Sequence, residues 1–100
     1  MDKLIGKHKR FLRALGNKVR PKVFVGKGAI CETLVRSLND VFNKNELVKV
    51  RVEKNCTIEK TELARRLVDA SNAHLVQILG NTILLYRTDK EKPLIDLPNY

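Results

Sequence analysis

Hydrophobic residues recur at helical spacing in three stretches of the chain. In residues 3–15 they fall on one side of a helix, and Gly16-Asn17 follows as a stop signal. A second apolar stripe runs through residues 30–42 and a third through residues 63–70, with Thr57 as the expected N-cap of the last helix. The pattern therefore predicts three amphipathic helices.

Four other stretches have the patterns of strands. Residues 22–25 form a short extended run, and residues 46–53 alternate between valines and mostly polar residues, which predicts one buried and one solvated face. Residues 74–79 and 82–87 flank Gly80-Asn81, a pair suited to a hairpin turn. The order α-β-α-β-α-β-β predicts an α/β fold with one mixed four-stranded sheet packed with helices. We expect a single domain over residues 1–97, with a C-terminal tail at 88–100 whose order the pattern leaves open.

Positive charge is concentrated in the first quarter of the chain. The formal net charge is +9 over 100 residues. Residues 1–27 hold nine Lys/Arg and one acid, a net charge of +8, and the remaining eleven Lys/Arg and ten acids add +1. A field of one sign attracts polyanions, so nucleic acid is the leading candidate partner.

Other classes of function find little support in the sequence. Cys31 and Cys56 lie in apolar segments and are expected to be reduced core thiols, which favours a cytoplasmic protein. The cysteines and histidines lack metal-ligand spacing, and no catalytic constellation can be named. The chain has no long apolar span, and 100 residues leave little core for an internal cavity. We therefore predict no enzyme, no cofactor, no metal, no membrane association and no small-molecule substrate.

The segment with the strongest chemical interest is Gly26-Lys27-Gly28-Ala29. It joins a strand to a predicted helix whose first N–H groups would be unpaired and would point at the loop, making a site for a phosphate. The glycines allow close approach of another backbone, and Lys27 adds a cation. A plain turn would look the same, so both interpretations stay open at this point. The segment does not match a Walker A loop, which disfavours nucleotide hydrolysis.

Basic residues lead into this loop from the N-terminal side. Together they could follow a phosphate backbone along one face of the protein. The predicted footprint adds to the loop the residues Lys3, Lys7, Arg10 and Arg13 of the first helix, followed by Lys18, Arg20 and Lys22.

Several segments resemble one known family. Residues 15–16, 21–28 and 46–50 resemble segments of the chloroplast RNA splicing and ribosome maturation (CRM) domain, as does the ending Gly-Asn-Thr-Ile-Leu-Leu-Tyr-Arg at 80–87. The similarity spans about residues 7–97 and includes the stand-alone YhbY-like members. It implies a fold like the C-terminal domain of translation initiation factor three, and RNA binding. For single-domain members it also implies association with precursors of the large ribosomal subunit.

The resemblance also implies particular site residues. The family carries a GxxG loop comparable to that of KH domains, which clamps the RNA backbone. Ala29 stands here in place of the second glycine of that pattern, and its methyl group lies where RNA would approach. Arg87, in the last hairpin, is a further candidate phosphate ligand. The expected partner is therefore ribosomal or pre-ribosomal RNA.

Two other functions remain open from the residues alone. The charge would equally suit a basic DNA-binding protein, although no helix has Asn, Gln and Arg at groove-reading positions. A protein-interaction adaptor could use the first helix to bind an acidic partner. A base-stacking sheet is not expected, because Phe11, Phe24 and Phe42 lie at core spacing.

Overall fold

The computed structural model describes residues 4–28, 30–88 and 95. The elements follow the predicted order α-β-α-β-α-β-β, and the α/β fold class is confirmed. Their bounds are α1 Gly6–Gly16, β1 Pro21–Val25, α2 Glu32–Phe42, β2 Leu47–Val52, α3 Lys60–Ser71, β3 His74–Leu79 and β4 Thr82–Tyr86.

The four strands form one mixed sheet in the order β1-β2-β4-β3. β1 is parallel to β2, and β4 lies antiparallel between β2 and β3. The β3–β4 hairpin turns at Gly80-Asn81 as predicted, and Gly80 has a φ of +57°, a conformation that glycine adopts without steric cost. β4, the last of the described strands, therefore sits inside the sheet and not at its edge.

The main core lies between one face of the sheet and the helices α2 and α3. Val48, Val50 and Val52 point into it from alternate positions of β2, as the sequence predicts. Leu38 of α2 and Leu63 of α3 are fully buried against them. This layer of two helices on a sheet contains most of the buried apolar surface.

A second, smaller core lies on the other face of the sheet, beneath α1. Leu12 of α1 is fully buried there with Leu47, Leu84 and Tyr86. The predicted solvated face of β2 is therefore wrong at Leu47, which is only 7% exposed because α1 covers it. Gly16 is where α1 comes closest to the sheet: an added Cβ would stand 2.5 Å from Cδ2 of Leu84.

Some helix ends and core positions differ from the prediction. α1 begins at Gly6, and Ile5 and Leu15, expected on its buried side, are largely exposed. α3 is capped by Glu59 and not by Thr57, because the Glu59 carboxylate accepts hydrogen bonds from the backbone N–H groups of Thr61 and Glu62 at 2.8 and 3.1 Å. These bonds lower the pKa of Glu59. Cys31 is exposed as the N-cap of α2, so only Cys56 is a partly buried thiol.

Candidate nucleic-acid interface

The loop after β1 is held at its start by the neighbouring β2–α3 connection. The backbone N–H of Glu53 donates to the Val25 carbonyl at 2.8 Å. A Cβ on Gly26 would approach the Asn55 side-chain oxygen to 3.1 Å, so this position favours glycine because another chain segment passes close by. Gly26 is therefore explained by packing within the protein.

Gly28 has no such internal explanation. A Cβ at this position would meet nothing within 4 Å. Gly28 does not have a positive φ, so its backbone conformation does not require glycine either. The open space beside Gly28 and the exposed Lys27 would let another backbone approach. The loop thus has a packed end at Gly26 and an accessible end at Gly28. Ala29, the fourth residue of the predicted clamp, lies outside the described residues.

The loop does not run directly into a helix as predicted. α2 begins at Glu32, with Cys31 as an extended N-cap residue whose side chain makes no capping bond. Three residues therefore separate Gly28 from the first turn of α2. The N–H groups of the first turn of α2 are therefore separate from the loop, and the groups that the described part of the loop offers to an anion are its own backbone N–H groups and Lys27.

The basic residues of α1 form an exposed layer on one side of the sheet. α1 carries four Lys/Arg and no acid. Arg10 and Arg13 are exposed, and among the described residues they form no ion pair; the same is true of Lys18 and Arg20 in the connection to β1. Lys7 is also exposed on α1, whereas Lys3 lies outside the described residues. We call the exposed basic residues of this side the basic layer: Lys7, Lys9, Arg10, Arg13, Lys18 and Arg20.

The helices on the opposite side are charge-balanced. α2 and α3 together contain four Lys/Arg and four Asp/Glu. Within α3, Glu62 accepts hydrogen bonds from Arg65 and Arg66 at 2.6 and 2.8 Å, and these bonds lower the pKa of the Glu62 carboxyl to about 2. Arg65 also pairs with Asp69 at 3.0 Å. Three of the four cations of α2 and α3 are therefore paired within their own helix. The net positive charge of the three described helices comes from α1, because α2 and α3 together carry none.

Lys22 does not join the loop. Its ammonium lies 3.4 Å from the side-chain oxygen of Asn45, just beyond the C-terminal end of α2. A cation is favoured there by the helix dipole. Lys22 thus lies at the edge of the sheet, between the two helical layers.

Arg87 makes its contacts inside the protein. Nη1 donates to the Asn39 side-chain oxygen at 2.7 Å and to the Ser71 carbonyl at 2.8 Å, and the guanidinium lies 4.7 Å from the centre of the Phe42 ring. Burial lowers the pKa of Arg87. The guanidinium joins the ends of α2, α3 and β4, and these contacts weigh against its prediction as a phosphate ligand.

Sequence reasoning missed the exposure of Phe24 and left its neighbours Arg51 and Lys49 out of the predicted site. Phe24 was expected in the core but is 53% exposed, since Val23 and Val25 fill the inward positions of β1. Arg51 is its register partner on β2, and Lys49 lies two residues before Arg51 in that strand. Strict alternation along β1 was the signal that could have identified Phe24 as an outward residue.

The described residues contain neither a metal-binding cluster nor a membrane-spanning helix. No group of three or more His, Cys, Asp or Glu side chains in residues 4–28, 30–88 and 95 could hold a metal ion. None of the three helices in these ranges has the length and apolar character to cross a membrane.

A small α/β domain with one basic and one charge-balanced layer belongs to the class of modules that bind a polyanion through one face. The chain belongs to the CRS1/YhbY (CRM) domain family, whose model matches residues 4–87. This finding confirms the resemblance seen in the sequence.

Similar proteins cover nearly the whole chain. The probable RNA-binding protein YqeI of Bacillus subtilis is 41% identical over 95 residues, which are 95% of this chain and 99% of YqeI. An RNA-binding protein of Haemophilus influenzae is 31% identical and covers 98% of both chains. The solution structure of SAV1595 from Staphylococcus aureus has 41% identity and a TM-score of 0.82, and covers 96% of this chain and all of the other.

Proposed function

We propose that this protein binds RNA through its basic layer and the loop after β1, and that its target is structured ribosomal or pre-ribosomal RNA during assembly of the large subunit. The observation that carries the proposal is the unequal charge of the two helical layers. α1 has four Lys/Arg without an acid, whereas the four Lys/Arg of α2 and α3 are matched by four acids. A polyanion would therefore approach from the α1 side.

The chemistry of this surface suits recognition of the RNA backbone. The basic layer and Lys27 offer ammonium and guanidinium groups for phosphates, and the open side of Gly28 leaves room for a nucleic-acid backbone. α1 contains no Asn or Gln, the side chains that read adenine in a groove. We therefore expect binding that depends on RNA shape and phosphate position more than on sequence.

The proposed contact residues follow from this geometry. Arg87 is left out because its guanidinium is bound within the fold. The proposed contacts are Lys7, Arg10, Arg13, Lys18, Arg20, Gly26, Lys27 and Gly28, with Lys22 at the margin.

Names of relatives and the family resemblance support RNA over DNA. YqeI and the Haemophilus influenzae relative are both named as RNA-binding proteins. The resemblance of the chain to the stand-alone, YhbY-like members of the family supports the choice of ribosomal RNA. Such a role would place the protein in the cytoplasm, where the free thiols Cys31 and Cys56 would stay reduced.

Crosslinking in living cells followed by sequencing of the bound RNA tests this proposal. We expect enrichment of large-subunit ribosomal RNA at a few defined positions. A matched variant with Arg10 and Arg13 both changed to Ala should lose most of the crosslinks, while a control with Arg36 and Lys44 of the opposite side changed to Ala should retain them. Crosslinks spread evenly over messenger RNA would contradict the ribosomal target. Equal competition by duplex DNA at matched salt would contradict selectivity for RNA.

A further inference from the structure

Part of the sheet on the α1 side is not covered by any helix of the described residues. α1 ends at Gly16, directly above Leu84, and the chain then crosses to Pro21 at the start of β1. Between this connection and the loop after β1, side chains of the α1-side face of the sheet are exposed. Phe24 is 53% exposed there and Leu79 is 63% exposed.

Strand register shows which side chains share this open area. Phe24 on β1 pairs with Arg51 on β2, Arg51 pairs with Thr82 on β4, and Thr82 pairs with Leu79 on β3. We call these four residues the open row. Register partners on adjacent strands lie about 5 Å apart and their side chains leave the sheet on the same face. An aromatic ring and a guanidinium therefore stand side by side on a flat surface.

Charge around the open row is positive. Arg51 is exposed and, within the described part of the chain, forms no ion pair. Lys49, two residues before Arg51, lies on the same face of β2. Lys27 is three residues from Phe24, at most about 10 Å along the chain. The nearest acid along β2 is Glu53, which comes after the strand has ended. An aromatic ring bordered by cations matches a nucleotide, which has a flat base and an anionic phosphate.

We propose that the Phe24 end of the open row is a stacking site for one unpaired base of RNA, with Phe24 under the base and Arg51 and Lys27 near the adjacent phosphates. Leu79, three strands away at the other end of the row, lies outside this site. The inference rests on the proposed RNA binding and adds a requirement for an unpaired nucleotide next to the backbone contacts. A paired base would keep its faces within the helix and could not reach Phe24. The target would then combine a structured region, held by the basic layer, with a bulge or loop placed over the sheet.

Binding of two matched probes tests the stacking site. One probe is a short unstructured oligouridylate, and the other is an abasic oligomer with the same number of phosphates. We expect F24L to weaken binding of the oligouridylate on the order of tenfold and to leave binding of the abasic oligomer unchanged. F24W should retain affinity, and since the natural chain contains no Trp, its indole fluorescence should be quenched by the oligouridylate and not by the abasic oligomer. L79A is the control for loss of an exposed apolar side chain in the same row and should bind as the wild type does.

The outcomes separate this inference from the proposed function. Unchanged oligouridylate affinity in F24L, alongside weakened binding in a Lys27→Glu variant, overturns the stacking site and leaves RNA binding intact. Equal losses on both probes, or an equal loss in L79A, also overturn it, because neither depends on an aromatic–base contact. A wild-type protein that binds neither probe nor ribosomal RNA refutes the proposed function, and the stacking site with it. Circular dichroism of each variant confirms that the fold is retained.

Discussion

Arg87 shows how a charged side chain can serve the interior of a small domain. Its guanidinium satisfies the Asn39 side chain and the Ser71 carbonyl while it covers the Phe42 ring. These acceptors belong to α2 and to the last residue of α3, so one side chain connects both helices to the strand that precedes it. The charge that makes arginine attractive as a phosphate ligand is used here within the fold.

We predict that Arg87→Met lowers the free energy of unfolding by about 2 kcal/mol. The substitution keeps most of the packing on Phe42 but leaves two partly buried acceptors without their donor. Urea denaturation measures the change, and Arg51→Met, at an exposed position, should change stability by less than about 0.5 kcal/mol. If Arg87→Met has wild-type stability but binds RNA more weakly, Arg87 is a contact residue of the RNA interface and not a structural residue.

Lys27 separates the two interpretations of the loop. If the loop contacts a phosphate, Lys27→Ala should cost roughly 1 kcal/mol of binding free energy and reduce the salt slope of binding by about one unit. Lys27→Glu should weaken binding further, because it places a like charge beside the phosphate. Fluorescence anisotropy with a ribosomal RNA fragment measures both effects. If both variants bind RNA with wild-type affinity, the loop is a plain turn that does not contact a phosphate.

Residue-level prediction succeeded where one physical preference dominated. Val50 follows strict strand alternation and is fully buried, as expected. The hydrophobicity of Phe24 favours the core, but its position between the inward-pointing Val23 and Val25 directs its side chain to the opposite face of the sheet. Thr57 was preferred as a cap by residue type, but the carboxylate of Glu59 stands at the distance from the helix start that capping requires.

At the scale of elements, the position of α1 determines which part of the sheet is left open. Its contact with the sheet depends on Gly16, where a methyl group would collide with Leu84. The sequence suggested Gly16 as a helix stop, yet the residue is the last of α1 and is followed by Asn17 in a right-handed helical conformation. Its lack of a side chain serves close packing of helix on sheet, a tertiary contact that a local pattern does not contain.

Gly16→Ala should therefore destabilise the protein, although alanine favours helices by about 1 kcal/mol over glycine. We expect a net loss of about 1–3 kcal/mol, because the whole end of the buried Leu84 side chain crowds the new Cβ. Gly6→Ala at the other end of α1 is the matched control, since its Cβ would meet only Arg10 Nη1 at 3.4 Å. Thermal unfolding of both variants measures the difference, and equal stability of the two would contradict the close contact described here.

At the scale of the whole molecule, we expect the unequal charge of the two helical layers to govern the binding of RNA. If about five phosphates are neutralised, the logarithm of the RNA association constant should fall with the logarithm of salt concentration at a slope of roughly −3.5 to −4.5. The double change of Arg10 and Arg13 to Ala should make the slope shallower by about two units, while removal of Arg36 and Lys44 should not change it. A slope near zero in the wild type would exclude an electrostatic interface.

The overall architecture was easier to predict than the site. Element types and their order follow from periodicity and turn residues, which are local properties. The layer to which α1 belongs, and with it the burial of Leu47, depends on packing between distant segments. The charge balance of α2 and α3 can be counted in the sequence, but the position of both helices on one face of the sheet, opposite α1, is a tertiary property.

The interior position of β4 also affects how the chain acquires its structure during synthesis. β3 is joined to the rest of the sheet only through β4, so residues 74–79 have no strand to pair with until residues 82–86 have left the ribosome exit tunnel. β1 and β2 can pair earlier, because both precede the hairpin in the chain. The main core nevertheless stays exposed until the β3–β4 hairpin joins the sheet. A nascent chain stopped before Thr82 would therefore lack the strand that joins β3 to β2, and its main core would remain open to proteases and chaperones.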